Sequence, residues 1–148
     1  MPSPLDTASF AELVALQLAF YQAWGSWIGV AGYGVAFNYA LEADEIIPLG
    51  VNTRTVTYPA NFSGSPFHLI GSAPDAAITL TIKHWHGGSI STVGTLSIST
   101  TGAIELATTG GISVATPPGA LWAQRTSAAD AGAIFLMGEI QGVVSMTA

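Results

Sequence analysis

The chain predicts an all-β fold, an antiparallel β-sandwich of jelly-roll type preceded by one N-terminal α-helix, and three observations carry that expectation. A capping box opens the one stretch with helical periodicity, and apolar residues recur at every second position from Tyr33 onward. Gly, Pro and Asn then punctuate the sequence at short intervals. At 148 residues one core suffices. Two parts are expected: residues 1–32, a helix and Gly-rich connection for oligomerisation or docking, and residues 33–148, the sandwich.

The helix is placed first. In Ser9-Phe10-Ala11-Glu12 the Ser9 hydroxyl can accept from the Glu12 backbone N–H, while the Glu12 carboxylate reaches back to Ser9. Phe10, Leu13, Phe20, Trp24 and Trp27 follow at three- and four-residue steps with Gln17 on the same stripe, and Gly25-Ser26 ends the pattern. The helix therefore spans about Phe10 to Trp24. It either caps the sandwich or forms an oligomer interface made by Phe10, Leu13, Gln17, Phe20, Trp24 and Trp27, with Gln17 as a register-setting polar residue. No charge occurs from Leu13 to Leu41, which is long enough to cross a bilayer. Gly25, Gly29, Gly32 and Gly34 break that run, however, and its second half alternates with period two, so no membrane span is expected.

Strands are expected at Tyr33–Leu41, Thr53–Tyr58, Pro66–Ile70, Ala76–Lys83, Gly94–Ser99, Ala103–Ala107, Ile112–Ala115, Leu121–Arg125 and Ala133–Ile140. The clearest is the fourth, where Ile78, Leu80 and Ile82 alternate with Thr79, Thr81 and Lys83, as a half-buried strand requires. Gly110-Gly111 and Pro117-Pro118-Gly119 separate later strands at the spacing of a sandwich.

Composition excludes several functions. Without cysteine there is no disulfide framework, thiol nucleophile or Cys-type zinc site. Three basic residues, Arg54, Lys83 and Arg125, against a net charge of −6 disfavour nucleic acid and anionic membranes as partners. Charged residues are only 8%, against about 25% in ordinary globular chains, so part of the surface is expected to face protein neighbours.

Candidate chemistry is sparse. His84-Trp85-His86 would place two imidazoles on one face of an extended segment, but a metal site needs three or four ligands, and a third could come only from His68 or Asp75 by tertiary contact. The segment reads better as a hairpin tip before Gly87-Gly88, where Ala at both histidines would leave stability little changed. Glu42, Asp44 and Glu45 read as a solvated turn, and no serine sits in a nucleophile elbow. No catalytic residue, metal or cofactor is therefore expected. Trp85 and Trp122 remain as possible ligand contacts, able to stack on sugar rings if exposed together.

Two segments carry a resemblance in their order of motifs. Pro59, Ala60, Phe62, Gly64 and Ser65 form a corner, followed by the Ile78–Lys83 strand, the Gly87-Gly88 hairpin and Gly94-Thr95-Leu96-Ser97-Ile98. Gly119-Ala120-Leu121 and Arg125–Ala131 then lead to a last apolar strand, without the Asp and the Pro common at those two places. From about Phe37 to Gly142 the chain resembles a family of bacteriophage virion structural modules. The resemblance implies a non-enzymatic phage component located in the virion, a head-decoration or tail/fibre module. Its partners would be copies of itself, as a homo-oligomer with a trimer among the possible states, and other virion proteins. The alternative is a carbohydrate- or receptor-binding module on the particle, which Trp85 and Trp122 exposed on one face would favour.

Overall fold

The computed structural model describes residues 30–127 and 132–145. The expected helix and its interface residues Phe10, Leu13, Gln17, Phe20, Trp24 and Trp27 lie outside them. Ten strands are described: β1 (Val30–Tyr39), β2 (Ile46–Asn52), β3 (Val56–Tyr58), β4 (Phe67–Ile70), β5 (Ile78–His86), β6 (Ser89–Ile98), β7 (Ile104–Thr108), β8 (Val114–Thr116), β9 (Gly119–Arg125) and β10 (Ile134–Val144). They form two antiparallel five-stranded sheets, in agreement with the all-β sandwich.

One sheet runs β1-β10-β3-β8, with β4 also paired to β10, and the other runs β2-β9-β5-β6-β7. The pairs are nested: β1 lies against β10, β2 against β9, β3 against β8 and β5 against β6. Strands β3 and β4 lie end to end along β10, through Thr57 opposite Val143 and Phe67 opposite Gly138.

Alternation decides what lies between the sheets. Val35 and Phe37 from β1, Ile78, Leu80 and Ile82 from β5, Leu96 and Ile98 from β6, and Leu136 and Ile140 from β10 are buried, while their strand neighbours point outward. Where β5 passes β6 the register shifts between Ile82 and Lys83, and the extra β6 residue lets consecutive Val93 and Gly94 both turn inward. Gly94 admits no side chain, because a Cβ there would lie 2.3 Å from the Ala107 carbonyl oxygen and 2.5 Å from the Phe62 ring.

That ring arrives from the corner between β3 and β4. Asn61 and Phe62 take positive φ of 54° and 52°, a conformation that a bulky residue rarely adopts. Reciprocal bonds hold the corner: Asn61 N–H donates to Thr108 Oγ1 at 2.9 Å, and Thr108 N–H to Asn61 Oδ1 at 3.2 Å. Phe62 is thereby buried edge-on against Tyr58, their ring centroids 5.6 Å apart, and joins one sheet to the β6–β7 side of the other.

Several expected boundaries change. Strand β2, which contains Pro48 and Gly50, is not among the strands expected from the sequence. As an edge strand β2 tolerates them, and its pairing with β9 shifts register between the two. Strand β1 begins at Val30, inside the expected Gly-rich connection, and β3 shortens to three residues. The hairpin turns at Gly87-Gly88 as expected, with Trp85 and His86 exposed beside it, but His84 is buried within β5, and β6 starts at Ser89, not Gly94.

Candidate functional site

The outer face of the β2 sheet carries the most distinctive surface. Directly paired residues share a face, so the register sets out a row across four strands: Val51 opposite Ala120, Ala120 opposite Trp85, and Trp85 opposite Ile90. Val51 is 73% exposed, Ile90 62% and Trp85 47%. The next row holds Pro48, Trp122, Lys83 and Thr92, and the one beyond it begins with Ile46, itself exposed. Large apolar side chains thus stand together, where isolated ones would be unremarkable. Trp85 and Trp122 share this face in adjacent rows; Trp122 is half-buried, and its indole N–H is buried without a partner.

Beneath the row the same strands turn polar side chains inward. His84, one residue before Trp85, continues the buried series of β5 and is 1% exposed. Its Nε2 lies 3.2 Å from Asn52 Oδ1. The Asn52 amide nitrogen donates to the Arg54 and Pro117 carbonyls at 2.9 Å each, so its oxygen must face the histidine. His84 therefore donates from Nε2–H. Burial first, and then the neighbouring His86, lower the His84 pKa, opposed by a hydrogen bond with the Pro117 backbone. Gly119 completes the contact: a Cβ there would lie 1.9 Å from the Trp85 carbonyl oxygen and 2.8 Å from His84 Cε1. Asn52, His84 and Gly119 thus tie the ends of β2, β5 and β9 together and fix the backbone from which Val51, Trp85 and Ala120 project.

This burial corrects the expectation that His84 is dispensable. His84 and His86 do follow one another on one face of β5, but they do not converge. His86 Nδ1 lies 2.6 Å from the Pro118 carbonyl, which can only accept, whereas His84 turns to Asn52. His68 stands exposed on β4 of the opposite sheet. Among the described residues no group of three or more His, Asp or Glu is placed to hold a metal ion.

The acidic turn between β1 and β2 is held locally. Asp44 has φ of 59°, Tyr39 OH donates to Glu45 Oε2 at 2.6 Å, and the Glu42 N–H donates to Glu45 Oε1 at 3.2 Å. Arg125, buried at the end of β9, donates from its guanidinium to the Leu41 carbonyl and from its backbone N–H to Glu45 O. Both carboxylate oxygens of Glu45 are thus engaged within the turn.

A cleft of about 190 Å³ opens where β1 and β2 meet, lined by Ala31, Tyr33, Val51, Asn52, Arg54 and Val144 among others. It lies at the end of the sandwich where the apolar row lies, since Val51 belongs to both. Among the described residues no helix is long and apolar enough to cross a membrane. Sequence reasoning singled out Trp85 and Trp122 but missed Val51, Ile90, Asn52 and Gly119. Only strand pairing brings those together. Compared with known proteins, the chain matches no family model, no curated protein and no solved structure.

Proposed function

We propose that the chain is a structural, non-enzymatic component of a tailed-bacteriophage virion, a head-decoration or tail/fibre module that assembles as a homo-oligomer and contacts other virion proteins. The exposed row Val51, Ala120, Trp85 and Ile90, on a chain with only 8% charged residues, carries the reading, because contiguous apolar side chains on a sheet face mark surfaces that contact other proteins. The nested strand pairs fit a jelly-roll reading of the sandwich, an architecture that recurs in viral capsid proteins, and so support the proposal. The order of corner, hairpin and turn motifs from Phe37 to Gly142 supports the same assignment.

A carbohydrate-binding role has one observation in its favour, the shared face of Trp85 and Trp122. The chemistry of the row favours protein contact over sugar. Its other members are Val51, Ala120 and Ile90, which offer no hydrogen bonds to hydroxyl groups, and Trp122 is half-buried.

Two measurements test the proposal. Native and denatured mass of the purified protein should differ by an integral copy number, and an antibody to the chain should label purified phage particles in immunogold microscopy. A monomer at high concentration together with unlabelled particles would overturn it.

A further inference from the structure

We infer that β1 is a pairing edge for a second copy of this chain. The two copies join antiparallel through their β1 strands about a two-fold axis, with Arg54 of each set against the acidic turn of the other. The inference deepens the homo-oligomer reading and rests on it, and it leaves the row Val51, Ala120, Trp85 and Ile90 open to other partners.

An edge strand presents backbone donors and acceptors to any strand that lies beside it, and folds ordinarily blunt such edges with charge, proline, bulges or short length. Every other edge of this sandwich carries one of those devices. Strand β2 contains Pro48 and a register shift, β7 is five residues long with Glu105 among them, and β4 and β8 have four and three residues. Strand β1 runs for ten residues in unbroken register with β10 and contains neither a charged residue nor a proline. Among the described residues no strand lies on its other side. Glu139 of β10 reaches over Gly32, but on the outer face of the sheet and not along its edge.

Charge selects the occupant. The turn after β1 carries exposed Glu42 and Asp44 at one end of this side of the sandwich. Strand β2 then returns alongside, and the exposed Arg54 that follows it lies at the other end, lining the cleft with Ala31. The side is acidic at one end, basic at the other and uncharged between. A two-fold axis across the middle of β1 reverses the second copy end for end, so each Arg54 meets the other copy's Glu42 and Asp44. A strand of unrelated sequence would gain the backbone bonds alone.

Register narrows the geometry. Residues opposite each other in an antiparallel pair share a face, so the axis sets either Gly34 opposite Gly34 or Val35 opposite Val35. In both arrangements the two copies of position 34 lie directly opposite or one diagonal step apart, roughly 5–8 Å between Cβ atoms. A Cβ at Gly34 meets nothing within 4 Å, so the position accepts a side chain.

The test uses the intact chain. Native mass should give an even copy number, and Gly34→Lys, which sets like charges together at the axis, should halve it while the β circular-dichroism spectrum persists. In Gly34→Cys, a short bismaleimide should yield covalent dimers, since the chain has no other thiol. Arg54→Glu should raise the dissociation constant about tenfold, and adding Glu42→Arg to the same chain should restore it. An odd copy number would overturn the inference and leave the homo-oligomer reading standing. So would an even assembly that Gly34→Lys leaves intact and whose introduced thiols do not cross-link, or a charge exchange that fails to restore association. A monomer at high concentration would overturn the inference, whereas the virion reading falls only if phage particles are also unlabelled.

Discussion

At the scale of single residues, His84 and Asn52 set the clearest expectations. Asn52→Ala would remove the Oδ1 acceptor facing the buried His84 N–H and the amide donor to the Arg54 and Pro117 carbonyls, at a cost of about 1–3 kcal/mol measurable by urea unfolding. His84→Ala should cost about 2–4 kcal/mol, whereas His86→Ala, at an exposed position, should change stability by less than about 1 kcal/mol. The pH dependence follows from the lowered His84 pKa. Below an ordinary histidine pKa of about 6.5 the unfolded chain binds a proton that the folded chain refuses, so stability is complete above that pH and declines as pH falls through it. Melting temperature should therefore drop between pH 7 and pH 5, and His84→Gln should flatten that decline. An identical slope in the variant would assign the acid sensitivity to the carboxylates.

At the scale of elements, the corner between β3 and β4 stores strain that its contacts must offset. Two successive residues in the left-handed region cost about 1–3 kcal/mol each, balanced by the Asn61–Thr108 bonds and by burial of Phe62. Phe62→Ala should destabilise by about 3–5 kcal/mol in thermal denaturation, because it empties the space between Tyr58 and Gly94. Gly94→Ala attacks the same contact from the other side and should cost about 1–3 kcal/mol, because the nearest obstacle is the Ala107 backbone and not a movable side-chain end. Strand β2 shows why breakers mislead at this scale. Pro48 disqualifies a central strand, yet an edge strand has one row of backbone donors with no partner to lose.

For the whole molecule the expected outcome concerns what the sandwich needs in order to fold. All ten described strands begin at or after Val30, so deletion of residues 1–28 should leave the β circular-dichroism spectrum intact. The same deletion should shift the oligomeric state measured by light scattering, because the apolar stripe Phe10, Leu13, Phe20, Trp24 and Trp27 expected to join copies is removed with it. A truncated protein that failed to fold would show instead that the segment completes the core.

The sequence by itself determined the all-β class, the inward series Ile78, Leu80 and Ile82, and the absence of thiol chemistry, because period-two alternation and composition are local properties. It also marked the 59–65 corner and the 87–88 hairpin, where Gly and Pro reveal turns directly. Only the tertiary structure decided that His84 is a buried tie and not an exposed tip residue. Its neighbours Asn52 and Pro117 lie more than thirty positions away, and nothing in His84-Trp85-His86 announces them. The row Val51, Ala120, Trp85 and Ile90 arises in the same way. Each residue is an ordinary outward-facing strand position, and the row exists only because the registers of three strand pairs align them, which depends on the bulges in β2 and β6 and not on any one segment.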